Sequence, residues 1–132
     1  MINNNRPRRT FFTQEKKQCW ERAEIIPGRD PARWRFDAAG NPVLNILRGC
    51  LGQFCHEYDH ILPFSKGGET SVENCQILQT HLNRYKSNRN LSLEELKKES
   101  IKQYFSDREM DLIEIAAYGS VKKPTEENQN EN

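Results

Sequence analysis

Polar and apolar positions in the first third of the chain predict a helix followed by a hairpin. Over residues 13–24 the apolar side chains recur at helical spacing, and Thr13 is expected to cap this helix. Residues 33–37 and 43–47 instead alternate in polarity on the two sides of an Ala-Ala-Gly-Asn turn. That alternation predicts two antiparallel strands joined by the turn.

A second pair of strands and a helix are predicted further along the chain. Residues 57–62 and part of residues 72–78 have strand-like patterns, and the loop between them contains the adjacent glycines Gly67 and Gly68. Residues 80–87 have the pattern of a helix. The order strand, loop, strand, helix is therefore expected over this stretch.

Two more helices are expected near the end of the chain. Ser92 precedes Glu95, and Ser106 precedes Glu109, at the spacing of a capping box. We expect the first helix to run through Leu96, Ile101 and Phe105, and the second to end at Gly119.

The length of 132 residues fits one domain. Residues 1–12 are expected to form a basic arm, residues 13–119 a single domain, and residues 120–132 a disordered acidic tail. No apolar run is long enough to span a bilayer, so no membrane association is predicted. The first residues lack the apolar stretch of a secretory signal, and an intracellular protein is expected, in the nucleus, cytoplasm or mitochondrion.

Charge is distributed unevenly, although the net charge is only +1. Basic residues outnumber acidic ones over residues 1–36, and the last eight residues are acidic and polar. Arg6, Arg8 and Arg9 form an exposed basic cluster. Contact with a nucleic-acid backbone, nuclear import and a plain solvated arm are all compatible with it.

The four cysteines are expected to be reduced thiols, because no secretory signal precedes them. Cys50 and Cys55 have a C-x4-C spacing that could supply half of a zinc site. The remaining cysteines, Cys19 and Cys75, do not form the second close pair that such a site needs. Ordinary buried thiols are therefore the preferred interpretation.

One ordered motif carries the candidate chemistry. Asp59-His60-Ile61 is followed by Pro63, by the Gly-Gly loop, by Asn74 before an apolar strand, and by Asn83 followed by a basic residue. These five elements, in this order over about thirty residues, resemble the HNH nuclease family. Residues 27–35 and 37–41 also resemble HNH proteins of eukaryotes.

The resemblance implies an α+β fold with a ββα-metal (HNH / His-Me finger) core, an N-terminal helix and hairpin, and two C-terminal helices. It assigns His60 as general base, Asp59 and Asn83 as ligands of one divalent cation, and Asn74 to holding the loop and orienting the His60 ring. A carboxylate and an amide oxygen suit Mg²⁺, with Mn²⁺ as an alternative. An imidazole of ordinary pKa can accept a proton at cellular pH.

Residues around the motif extend this hypothesis. Adjacent strand residues point to opposite faces, so Asp59 can face the helix that carries Asn83 while His60 faces the substrate. Lys86 lies three residues after Asn83 and can share its face. Lys86 and Arg84 are each candidates for phosphate contacts, and each could equally be a solvated helix cation.

One departure from the family concerns zinc. Many members carry two cysteines around the final Asn, where this chain has Gln79 and Leu82. Packing alone is therefore expected to hold the helix.

The predicted function is a metal-dependent endonuclease that cleaves nucleic acid, with DNA favoured over RNA and 5′-phosphate products implied by the resemblance. The principal alternative is a catalytically silent HNH fold that binds nucleic acid or serves in an assembly. A structural zinc domain built on Cys50 and Cys55 is a third alternative.

Overall fold

Four helices and two small antiparallel sheets make up a mixed α+β structure, which a computed structural model describes for residues 6–87, 89–100 and 105–124. The helices are α1 (Thr13–Arg22), α2 (Thr80–Lys86), α3 (Leu93–Glu99) and α4 (Asp107–Tyr118). The strands are β1 (Trp34–Phe36), β2 (Pro42–Leu44), β3 (His56–His60) and β4 (Cys75–Gln79). Short 3-10 turns occupy Phe64–Lys66 and Val72–Asn74 in the loop between β3 and β4.

The first sheet is the predicted hairpin, with Trp34 paired to Leu44 and Phe36 to Pro42. Its turn is held by Asp37, whose Oδ1 accepts hydrogen bonds from the main-chain N–H groups of Ala39 and Asn41 at 2.9 and 2.8 Å. The other carboxylate oxygen of Asp37 accepts a bond from Gln79 N at 2.8 Å. This one side chain therefore ties the first hairpin to the end of β4.

The second sheet pairs β3 with β4 from His56–Gln79 to His60–Cys75. Helix α1 packs on one side of it, in a cluster with Phe11, Cys19, Trp20, Val43, Cys75 and Ile77. Helix α2 contacts both strands, and its Leu82 joins Leu78 and Leu96 in a separate cluster. Each helix is placed by burial of its apolar side chains, since short helices have little stability alone.

Helix α4 covers the first hairpin and carries the buried carboxylate of Glu114. This group accepts hydrogen bonds from Trp34 Nε1 and Arg33 Nη1, both at 2.9 Å, and from Lys122 N at 2.8 Å. The predicted Ser106 cap is present, and the left-handed Gly119 ends the helix as expected.

Two predicted helix boundaries are wrong. Helix α1 begins one residue earlier than a Thr13 cap requires: its N-cap is Phe12, whose main-chain N–H donates to Glu15 Oε1 at 2.7 Å. Helix α3 ends at Glu99 because Ser100 is extended and donates its hydroxyl to the buried Asn41 side chain. Ile101 lies outside the described residues, and Phe105 lies outside any helix.

The described part of the arm is docked against the domain. Arg8 pairs with Glu15 at 2.6 Å and donates to Thr70 O at 3.3 Å, and Phe11 is buried. Arg8 is therefore docked on the domain, whereas Arg6 and Arg9 are exposed. Residues 1–5 of the predicted arm and residues 125–132 of the predicted tail lie outside the described residues. No helix in the described ranges is both long and apolar enough to cross a membrane.

Candidate functional site

The two faces of β3 distribute its polar side chains between the two helices. Glu57 and Asp59 lie on the side of α2, where both have ion-pair partners. His60 lies on the side of Phe11, whose ring centre is 4.4 Å from that of the imidazole. A cleft of about 590 Å³ is lined by all three residues and by Asn83. The alternation of strand side chains thus places Asp59 towards α2 and His60 on the opposite face of β3.

His60 is held by a hydroxyl from the loop. Its Nε2 is 2.8 Å from Thr70 Oγ1, and the same hydroxyl donates to the main-chain oxygen of Arg8 at 2.6 Å. A carbonyl oxygen cannot donate and a hydroxyl has one hydrogen, so Thr70 must accept from His60. Nε2 therefore carries the proton, and the lone pair of the neutral ring is on Nδ1.

The surroundings of His60 favour its neutral imidazole form. Burial lowers the pKa of His60 from its usual value, and the nearby cations Arg9 and Lys86 lower it further, while Asp59 acts in the opposite direction. A neutral ring with a free lone pair can accept a proton from water.

Asp59 receives two donors on one oxygen. Lys86 Nζ is 2.9 Å and Gln76 Nε2 is 3.0 Å from Asp59 Oδ2. Lys86 also donates to the main-chain oxygen of His60 at 2.7 Å, and its side chain is only 1% exposed. The prediction that Lys86 reaches a phosphate is therefore wrong, because its ammonium group is buried and already bonded.

Asn83 is oriented by Glu57, a residue that the sequence analysis did not single out. Asn83 Nδ2 donates to Glu57 Oε1 at 3.1 Å. A carboxylate only accepts, so the amide oxygen of Asn83 must lie on the other side of the group. Glu57 lies two residues before Asp59 in the strand, so its side chain points to the same face. This spacing was the feature of the sequence from which Glu57 could have been predicted. Arg84, the other phosphate candidate, is 3.5 Å from Glu57 Oε2 and donates to Gly49 O.

Asn74 holds the loop between β3 and β4. Its Oδ1 accepts from Leu62 N at 2.9 Å, and its Nδ2 donates to Leu62 O at 3.0 Å and Glu69 O at 2.8 Å. The second glycine allows this close approach, because a Cβ on Gly68 would lie 1.8 Å from Leu62 O. Asn74 thus fixes the loop, whereas the side chain bonded to the His60 ring is that of Thr70.

The chain matches no protein-family model, no curated protein and no solved structure. The side chains of the cleft are the evidence for its chemistry.

Cys50 and Cys55 are joined by a disulfide, so the expectation of reduced thiols is wrong for this pair. Neither sulfur is then free to bind zinc as a thiolate, which also overturns the zinc hypothesis. The disulfide closes the loop that precedes β3, and Gly49, immediately before this loop, lines the cleft. Cys19 and Cys75 are free and buried, as predicted.

The carboxylate oxygen of Asp59 and the amide oxygen of Asn83 suit a hard divalent cation. Among the residues that the structure describes, no three His, Cys, Asp or Glu side chains form a metal-holding group. A site made from one carboxylate and one amide does not need such a group, because Mg²⁺ keeps several water ligands. Within the described ranges Asp59 Oδ1 and Asn83 Oδ1 receive no hydrogen bond, so both oxygens retain their lone pairs for a cation.

Proposed function

We propose that this protein is a metal-dependent endonuclease of the HNH type, in which β3, β4 and α2 form a ββα-metal centre that cleaves nucleic acid, with DNA as the favoured substrate. The observation that carries the proposal is the presence of His60, Asp59 and Asn83 around one cleft of about 590 Å³. A base, a carboxylate and an amide oxygen are the groups needed to activate water and to hold a cation beside a phosphate.

His60 is the general base in this mechanism. Its Nδ1 takes a proton from the attacking water, while Thr70 accepts the Nε2–H bond and keeps the ring in the productive tautomer. Asp59 and Asn83 would hold the divalent cation, Mg²⁺ or Mn²⁺. When bound, the cation would supply the positive charge that stabilises the crowded phosphate and the departing 3′ oxygen. The family resemblance implies products with a 5′ phosphate.

The supporting side chains keep these groups in place. Glu57 turns the amide oxygen of Asn83 away from itself, and Lys86 and Gln76 occupy one oxygen of Asp59, which leaves the other without a donor. Asn74 holds the loop that carries Thr70. Each of these contacts reduces the freedom of a reacting group, which is how a site is preorganised.

The test is cleavage of supercoiled plasmid, single-stranded DNA and RNA with Mg²⁺, Mn²⁺ or EDTA. His60→Ala is compared with His81→Ala, because His81 is exposed and does not line the cleft. We expect metal-dependent nicking that falls by about 10²-fold or more in His60→Ala, the usual contribution of a general base, and is unchanged in His81→Ala. Binding without cleavage would favour the catalytically silent alternative, and equal loss in both variants would refute the role of His60.

A further inference from the structure

Three cationic side chains around the cleft have no acidic partner among the residues that the structure describes. Arg9, Lys16 and Arg48 line the cleft, and none of them forms an ion pair with a carboxylate in the described ranges. The acidic side chains of the cleft already have ion-pair partners on α2, because Arg84 pairs with Glu57 and Lys86 pairs with Asp59. The remaining charge is therefore positive, which favours an anionic ligand.

These three cations follow the direction of β3. Arg48 forms a bridge beside His56 at the start of the strand. Lys16 Nζ lies 5.8 Å from the Tyr58 ring centre, at the middle of the strand. Arg9 Cζ lies 5.5 Å from the ring centre of Phe64, a neighbour of His60 at the end. At a rise of about 3.3 Å per residue, the strand between its two histidines spans about 13 Å.

Each of the three cations belongs to a different segment of the domain. Arg9 follows Arg8, which is anchored to Glu15 and to the loop. Lys16 lies in the first turns of α1, and Arg48 precedes the disulfide-closed loop. The row is thus built from three separate elements that are fixed to the domain.

We propose that Arg9, Lys16 and Arg48 bind three backbone phosphates of one DNA strand, which lies along β3 with the phosphate to be cleaved at His60. This inference rests on the proposed nuclease function. Because one strand of a duplex rises 3.4 Å per nucleotide along the axis, 13 Å corresponds to about four nucleotides, so cations at the start, middle and end of β3 meet about every second phosphate. The contacts are made to phosphate, so they give affinity and position and do not select a base sequence. They replace Lys86 and Arg84 as the phosphate-binding groups.

The test measures binding of a fluorescein-labelled duplex DNA by anisotropy over a series of salt concentrations, with EDTA present so that no strand is cut. The combined variant Arg9→Ala, Lys16→Ala and Arg48→Ala is compared with a control that removes three exposed cations outside the cleft, Lys17→Ala, Lys98→Ala and Arg108→Ala. Both sets of changes lower the net charge equally. The same strand alone and a matching RNA are measured in parallel.

We expect the cleft variant to reduce the slope of log K against log salt by about 2.7 for duplex DNA, which is about 0.9 for each phosphate contact. At 0.1 M salt each single substitution should weaken binding by roughly 8-fold. Lys16→Ala and Lys17→Ala give the closest comparison, because they lie side by side on α1. Unchanged thermal unfolding shows that the variants remain folded.

Equal effects of the cleft and control variants, or an unchanged salt slope, would overturn the inference. Cleavage that depends on His60 together with an unchanged slope would refute the phosphate row and leave the nuclease intact. Loss of slope in a protein that binds DNA but never cuts it would refute the nuclease and leave the row intact. Loss of slope with RNA alone would overturn the assignment of DNA.

Discussion

The Thr70 hydroxyl is the group that fixes the proton position on His60, and Thr70→Val removes it with little change in shape. The substitution eliminates the bonds of 2.8 Å to His60 Nε2 and 2.6 Å to Arg8 O. At a net value of about 0.5–1.5 kcal/mol for each bond, and with Thr70 only partly buried, we expect a loss of about 1–2 kcal/mol in stability. Without its acceptor, His60 can rotate and populate the tautomer that places the lone pair on Nε2.

We expect the kcat of Thr70→Val to fall by about 10- to 100-fold, equivalent to about 1.4–2.7 kcal/mol, with little change in KM. Thr70→Ser keeps the hydroxyl and should restore most of the activity. Plasmid nicking with saturating Mg²⁺ and varied DNA measures both constants.

Thr80→Val is the matched control. The Thr80 hydroxyl is buried and has no hydrogen-bond partner in the described structure, so its removal should be neutral or slightly stabilising. Equal activity in the Thr70 and Thr80 variants, a loss confined to KM, or no recovery in Thr70→Ser would show that the hydroxyl does not position His60.

Three further changes test the framework around the cleft. Burial lowers the pKa of His56 to about 4, whereas the unfolded chain takes up this proton near pH 6.5. The free energy of unfolding in urea should therefore fall by about 3 kcal/mol as the pH drops from about 6.5 to about 4. The fall should be much smaller in His56→Gln. Gly68→Ala places a Cβ against a main-chain oxygen and should lower the free energy of unfolding in urea by about 3 kcal/mol. Gly67→Ala, at a positive φ, should cost only roughly 1–2 kcal/mol. Equal costs for the two variants would contradict the close contact at Gly68. Replacing Cys50 and Cys55 by Ser opens a short loop and should lower the free energy of unfolding by about 2 kcal/mol, whereas no loss of stability would argue against the disulfide.

The local patterns predicted most of the elements because neighbouring residues decide them. The hairpin around Asp37 follows from alternating polarity and turn residues, and α4 follows from its Ser106 cap and its terminal Gly119. Helix α3 was overextended because the contact that ends it, from Ser100 to Asn41, joins residues far apart in the sequence. No local pattern encodes such a contact.

The same distinction applies to the cleft. Strand parity was sufficient to predict that Asp59 and His60 lie on opposite faces of β3, with Asp59 towards α2. Local patterns could not indicate that Lys86 would be buried, because its burial depends on an ion pair between a helix and a strand. Nor could these local patterns identify Thr70, because its position depends on the loop that Asn74 holds and on the docked arm.

The contact between Thr70 and Arg8 makes the beginning of the chain part of the environment of His60. The acceptor is a main-chain carbonyl, so the contact is lost if this peptide is removed. A protease cut between Arg8 and Phe12 would leave the motif of the cleft intact in sequence and yet release the hydroxyl that holds its histidine. Under the proposed function, preparations trimmed at this point should therefore cleave nucleic acid more slowly than the untrimmed protein.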